Sequence, residues 1–157
     1  ICLHQKIREQ GGAYGGGAVC NAMGGTYYFY SYRDPHISAT LDAFKEAIQM
    51  MIEGHFDEED LEEAKLEMIQ GMDAPVSPGS RAYLAYCWLA EGKTEELRQK
   101  FRNKVLAATK EDIVKAVKKH IEKQYESAKT IVFAGKELIE KENAFLVSEK
   151  RETLPIG

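Results

Sequence analysis

Four histidines (His4, His36, His55 and His120) and 25 aspartates and glutamates make a hydrolytic metal centre the first chemistry to test against the sequence. A zinc helix of that kind presents two imidazoles one turn apart with a glutamate beside them, and neither H-E-x-x-H nor H-x-x-E-H occurs. The nearest approach, His55-Phe56-Asp57-Glu58-Glu59, carries Glu59 where the second imidazole would stand. Its acids have an electrostatic reason of their own, because they open a helix and meet the positive end of its macrodipole. No metal ligand is assigned in this chain.

Nucleophilic chemistry fares no better. There is no G-x-S-x-G, and Cys20 and Cys87 have no histidine at a patterned distance. The cluster Gly11, Gly12, Gly15, Gly16 and Gly17 is rich enough to suggest a phosphate cradle, yet a helix precedes it and a strand follows, the reverse of a nucleotide-binding fingerprint. Glycines in a strand instead leave room for another extended backbone, as a peptide-binding edge requires. Two side chains flank that cluster in IREQGGAYGGGA. Arg8 and Tyr14 are the candidate functional pair that remains once the other chemistries are set aside. Each also has a plain structural explanation, Arg8 as a cation at a helix C-terminus and Tyr14 as a strand aromatic.

Composition excludes several partners. With 21 lysines and arginines against 25 acids the net charge is −4, so the chain has no general basic face for nucleic acid or anionic membrane. The run Lys115-Ala116-Val117-Lys118-Lys119 reads as a solvated helix face. No apolar run approaches the ~20 residues of a membrane span. The 157 residues, 44% hydrophobic and 29% charged, suit one globular domain. Cys2, Cys20 and Cys87 read as free thiols of a reducing compartment. The chain opens on Ile1 with nothing resembling a signal peptide, and the expectation is a piece of a longer protein.

The elements that would hold Arg8 and Tyr14 follow from periodicity. Ile1, Leu3 and Ile7 mark one side of a helix that ends at Gly11-Gly12. Residues 13–22 and 25–33 read as a hairpin turned at Gly24-Gly25, with the aromatic run Tyr27, Tyr28, Phe29, Tyr30, Tyr32 as core and sheet surface, closed by Asp34-Pro35. From Ser38, a candidate cap, Leu41, Phe44, Ile48, Met51 and Ile52 form a helical stripe ended by Gly54. Asp57 to Asp60 open a second helix with Leu61, Ala64, Met68, Ile69 and Met72 as its buried face. After the break at 74–79, helices are predicted at about 81–90 and 94–106. A capping-box start at Thr109 opens a fifth, with Ile113, Ala116, Val117, His120 and Ile121 on one face. TIVFA (130–134) reads as a short buried strand, 136–143 as a short helix, and the tail from Phe145 as partly loose. The fold class is α+β: an antiparallel sheet, the hairpin plus the late strand, packed against several helices, with the remaining strands expected upstream.

IREQGGAYGGGA, FYSYRDP (29–35), EEAKL (62–66) and MDAPVSP (72–78) occur in that order, and together they resemble the C-terminal part of presequence proteases. These belong to the falcilysin-like branch of the pitrilysin/insulinase zinc metallopeptidases. The resemblance is densest over 7–35 and looser to about residue 80. It implies that 1–157 is a single C-terminal α+β domain, lacking its opening strands, of a larger peptidase that degrades short unfolded peptides in a closed chamber. It implies further that zinc is held outside this chain, in the N-terminal half of the same polypeptide, and that this chain alone is inactive. By residue match it implies Arg8 as substrate-binding and Tyr14 as the catalytic tyrosine facing the scissile carbonyl. A non-catalytic peptide-binding or scaffolding half of a related complex is the alternative reading, and a plain interaction domain with an accidental Arg–Tyr pair is another. Bacterial cytoplasm, mitochondrion and plastid all suit the thiols.

Overall fold

A chain that must turn from a helix into a strand within four residues needs a backbone that ordinary side chains resist, and here Gly12 supplies it at φ +76°. The computed structural model describes residues 3–22 and 24–155. Its first element, α1 (His4–Gln10), is π-helical, and Ile7 is its buried residue. The amides of Gly12 and Ala13 donate to the carbonyls of Arg8 and Ile7, both at 3.0 Å, and close the helix end. Strands β1 (Gly15–Asn21) and β2 (Thr26–Tyr32) then pair antiparallel, Gly15 opposite Tyr32 and Asn21 opposite Thr26. The hairpin and its turn therefore fall where the glycines and aromatics place them. Ile1, Cys2 and Met23 lie outside the described residues.

Ile7, 1% exposed, is the most deeply buried large side chain described, and it packs with Ala13, Ala43 and Phe44. Burying it stabilises the fold by roughly 1.5–3 kcal/mol. Phe29 reaches the same cluster from β2 and stacks on Phe44 with ring centroids 5.0 Å apart. The other β2 aromatics, Tyr27, Tyr28, Tyr30 and Tyr32, are exposed, so the run is mostly sheet surface. Gly16 lies against Ile7: a methyl group there would sit 3.0 Å from Ile7 Cγ2 and 3.2 Å from the Tyr30 carbonyl. The strand glycine thus admits a helix side chain.

The chain divides into two compact units, residues up to Glu53 together with those from Val117 on, and Gly54–Ala116. In the first, α2 (Ser38–Glu53) buries Ala43, Phe44, Ala47 and Ile48, close to the stripe its period predicts. Its N-terminus is capped from far away. Glu142 Oε2 accepts from the Ser38 amide at 2.9 Å and from the Ser38 hydroxyl, so Ser38 donates to a carboxylate across 104 residues. Helix α7 (Lys136–Ser148) carries Glu142 and buries Leu146. Arg151 forks onto both carboxylate oxygens of Asp42 at 2.7 Å.

In the second unit, Asp57 and Asp60 exchange reciprocal amide bonds at the start of α3 (Glu58–Asp73), a capping box on top of the expected dipole effect. Helix α4 (Pro78–Ala90) begins three residues earlier than predicted, with proline in its first turn. Helix α5 (Glu95–Ala107) is capped by Thr94. The Arg102–Asp73 pair links α5 to α3, and the Arg98 guanidinium lies 3.6 Å over Trp88 of α4. The Thr109–Asp112 capping box opens α6 (Lys110–Val117), whose helical path continues π-helically over Lys118–Glu122 and then as α-helix over Lys123–Tyr125.

Four expectations are corrected. TIVFA forms no strand: residues 130–134 pair with no strand edge, and Ile131 and Phe133 are 77% and 96% exposed. Strand propensity cannot act without a neighbouring ladder, and among the described residues the sheet has only β1 and β2. The last helix runs on to Ser148 rather than stopping near 143, because Leu146 is buried. The predicted α3 face is buried only at Leu61, while Met68 is exposed, and His120 is exposed rather than on a packed face.

Two outcomes test this packing. Gly16→Val should destabilise the fold by about 1–3 kcal/mol, since Ile7 and the Tyr30 carbonyl must both give way, and urea denaturation measures it. Burial pushes the Glu142 carboxyl upward, but bonds from the Ser38 side chain and the amides of Ser38 and Ile37, with His36 nearby, hold it below the ordinary glutamate value of 4.5. Its folded pKa is thus depressed, so its contribution is complete above the unfolded value of 4.5 and is lost as pH falls below it. Glu142→Gln should lower stability at neutral pH by about 1.5–3 kcal/mol and flatten this acid-side loss, read as thermal midpoint against pH.

Candidate functional site

Arg8 stands in the last turn of α1, where its positive charge opposes the negative helix end. Its side chain is exposed, and Nη1 lies 3.0 Å from His4 Nε2. His4 Nδ1 in turn lies 3.5 Å from Glu9 Oε1. Two residues after the positive-φ glycine, the Tyr14 amide donates to the carbonyls of Tyr32 at 3.2 Å and Arg33 at 3.3 Å. The main chain of Tyr14 is therefore held to the end of β2, while its ring is 67% exposed. That ring meets Tyr32 edge-on, with centroids 6.0 Å apart and planes at 84°. Arg8 and Tyr14 thus flank one turn, Gly11 to Ala13, and no hydrogen bond or ring contact joins them among the described residues.

Such an arrangement has two capacities. An exposed phenol on a fixed backbone can donate to an oxygen that gains negative charge, and an exposed guanidinium at a helix end can fork onto a carbonyl or carboxylate. Gly15, the residue next to Tyr14, has open space where a side chain would begin.

Sequence reasoning overlooked Arg33. It adopts φ +49°, and its guanidinium carbon lies 5.7 Å from the Tyr14 ring centroid and 5.4 Å from that of Tyr32. The signal was there: once Gly15 pairs with Tyr32, the next step of the antiparallel ladder brings Arg33 beside Tyr14.

The remaining candidates do not assemble. Among the described residues no three His, Cys, Asp or Glu side chains come together as a metal site, and Glu58 and Glu59 serve the first turn of α3. The donor set among the described residues therefore does not fit zinc. Cys20 and Cys87 are free thiols, Cys20 exposed opposite Tyr27. No helix described is long and apolar enough to cross a membrane.

The structure defines an α+β chain that presents an arginine and a tyrosine on either side of a glycine turn, beside a two-stranded antiparallel hairpin. The comparisons with known proteins are more specific. The family model described as the PreP C-terminal domain matches residues 1–137, and the chain belongs to that family. The chain is 41% identical over 119 residues to the mitochondrial presequence protease of Gibberella zeae, and 40% identical over 119 residues to that of Yarrowia lipolytica. Each of these matches covers 76% of this chain and 12% of the relative. The mitochondrial presequence protease of Danio rerio is 40% identical over 112 residues, covering 71% of this chain and 11% of that protein. The chain thus spans only about an eighth of the length of the curated relatives it matches.

The donor inventory yields an expected outcome. The isolated chain should bind no stoichiometric zinc and cleave no peptide, as elemental analysis and a fluorogenic-peptide assay would read. One zinc per chain together with chelator-sensitive cleavage would contradict it.

Proposed function

We propose that this chain is the C-terminal part of a zinc-dependent endopeptidase that degrades short unfolded peptides in a closed chamber. Arg8 binds substrate and Tyr14 stabilises the oxyanion. The observation that carries this reading is the Tyr14 phenol, exposed on a backbone tied to β2, in a chain of the presequence protease C-terminal family. Zinc would be held by residues of the N-terminal half of the same polypeptide, outside this chain. The relatives are named mitochondrial, and a mitochondrial location is proposed here too. The free thiols of Cys20 and Cys87 suit a reducing compartment.

The residues of this chain have separable tasks. A peptide lying extended along a strand edge is read mostly through its main chain, which favours breadth over sequence preference. Arg8 forks onto a backbone carbonyl or a carboxylate of that peptide and sets its register. The Tyr14 hydroxyl donates to the carbonyl oxygen as it becomes an oxyanion, so the bond strengthens as charge develops and lowers the barrier rather than the ground state.

In the full-length protein, Tyr14→Phe should lower kcat by roughly 10²–10³-fold, the usual loss for one oxyanion donor, with little change in KM or thermal midpoint. Wild-type kcat in that variant ends the assignment. Arg8→Lys should weaken turnover almost as far as Arg8→Ala, since an ammonium lacks the planar fork. Unchanged kcat/KM in both returns Arg8 to a helix-end role.

A further inference from the structure

The phenol of Tyr14 is exposed, and an exposed tyrosine ring has two torsions free to wander unless something holds it. Main-chain hydrogen bonds to Tyr32 and Arg33 fix its Cα but leave the ring undetermined. Two contacts act on the ring itself: the edge-on meeting with Tyr32, and the Arg33 guanidinium 5.7 Å from its centroid. The same guanidinium lies 5.4 Å from the Tyr32 centroid, so one cation is shared by both members of the ring pair. Arg33 forms no ion pair among the described residues that would draw its charge elsewhere. Its backbone, at φ +49°, lies in the left-handed region that an arginine seldom adopts.

The geometry points to Arg33 as a positioning residue for Tyr14: its guanidinium, lying near the Tyr14 and Tyr32 rings, holds the Tyr14 phenol in the orientation from which it donates. The inference rests on the reading of Tyr14 as oxyanion donor and adds to it the residue that orders the donor. Arg33 touches no reacting atom in this scheme. Its effect is on the fraction of time the phenol is aligned, which acts on the chemical step and not on peptide affinity.

The test uses the full-length protein and a double-mutant cycle. Arg33→Asn removes the charge while keeping a residue that tolerates the left-handed backbone, and Arg33→Lys retains the charge. Arg33→Asn should lower kcat about two- to five-fold, the scale of an exposed cation–ring contact, with KM and thermal midpoint unchanged. Arg33→Lys should keep most of the activity. In a Tyr14→Phe background the Asn substitution should have no further effect, because no phenol remains to align. An equal loss in both backgrounds, a loss carried by KM, Arg33→Lys as poor as Arg33→Asn, or a loss that tracks a lowered thermal midpoint would each overturn the inference. So would unchanged kcat in Arg33→Asn. If Tyr14→Phe alone retains wild-type kcat, the reading of Tyr14 fails first, and that outcome is distinct from a failure confined to Arg33.

Discussion

The contact between Ile7 and Gly16 sets the distance at which α1 meets β1, and the placement of Arg8 and Tyr14 depends on it. Ile7 is almost wholly buried, and the strand offers it a residue with no side chain. A larger residue at 16 would push the helix end off the ladder, and with it the neighbouring Arg8. Phe29 and Phe44 extend the same cluster from β2 and α2, so one small core joins helix, hairpin and the first long helix. Close packing of this kind tolerates little displacement, which suits side chains whose use depends on geometry.

The second tie in that unit is polar and long-range. Glu142 of α7 accepts hydrogen bonds at the first residue of α2, and Arg151 grips Asp42 one turn further along. A buried carboxylate is costly unless its bonds are complete, and here the helix N-terminus supplies both hydrogen bonds and a favourable dipole. The arrangement holds the chain after Val117 onto the element that supports the hairpin. The tie between Arg151 and Asp42 is exposed and contributes less, since solvent screens it.

The exposed site is ordered by different means. Tyr14, Tyr32 and Arg33 are all at the surface, where little packing constrains them. Their order comes from the antiparallel ladder, a shared main-chain hydrogen bond and three ring contacts. The result is a lightly held polar group at the surface over a buried, close-packed base.

Local rules determined much of this protein from the sequence. The glycines stop α1 and turn the hairpin, aromatic density makes β2, and 3.6-residue periodicity makes α2. Acid-rich starts cap α3 and α6 because a cap involves residues only three apart. Arg8 and Tyr14 stand out in the sequence as candidates because they bracket the glycines. What only the tertiary structure decided involves partners distant in sequence or absent. The true cap of α2 comes from Glu142, 104 residues away, and no spacing rule reaches that far. Arg33 is brought to Tyr14 by ladder register, which a turn containing two glycines leaves open. TIVFA has the composition of a strand, yet a strand exists only where another edge accepts its hydrogen bonds, and tertiary structure alone supplies that edge.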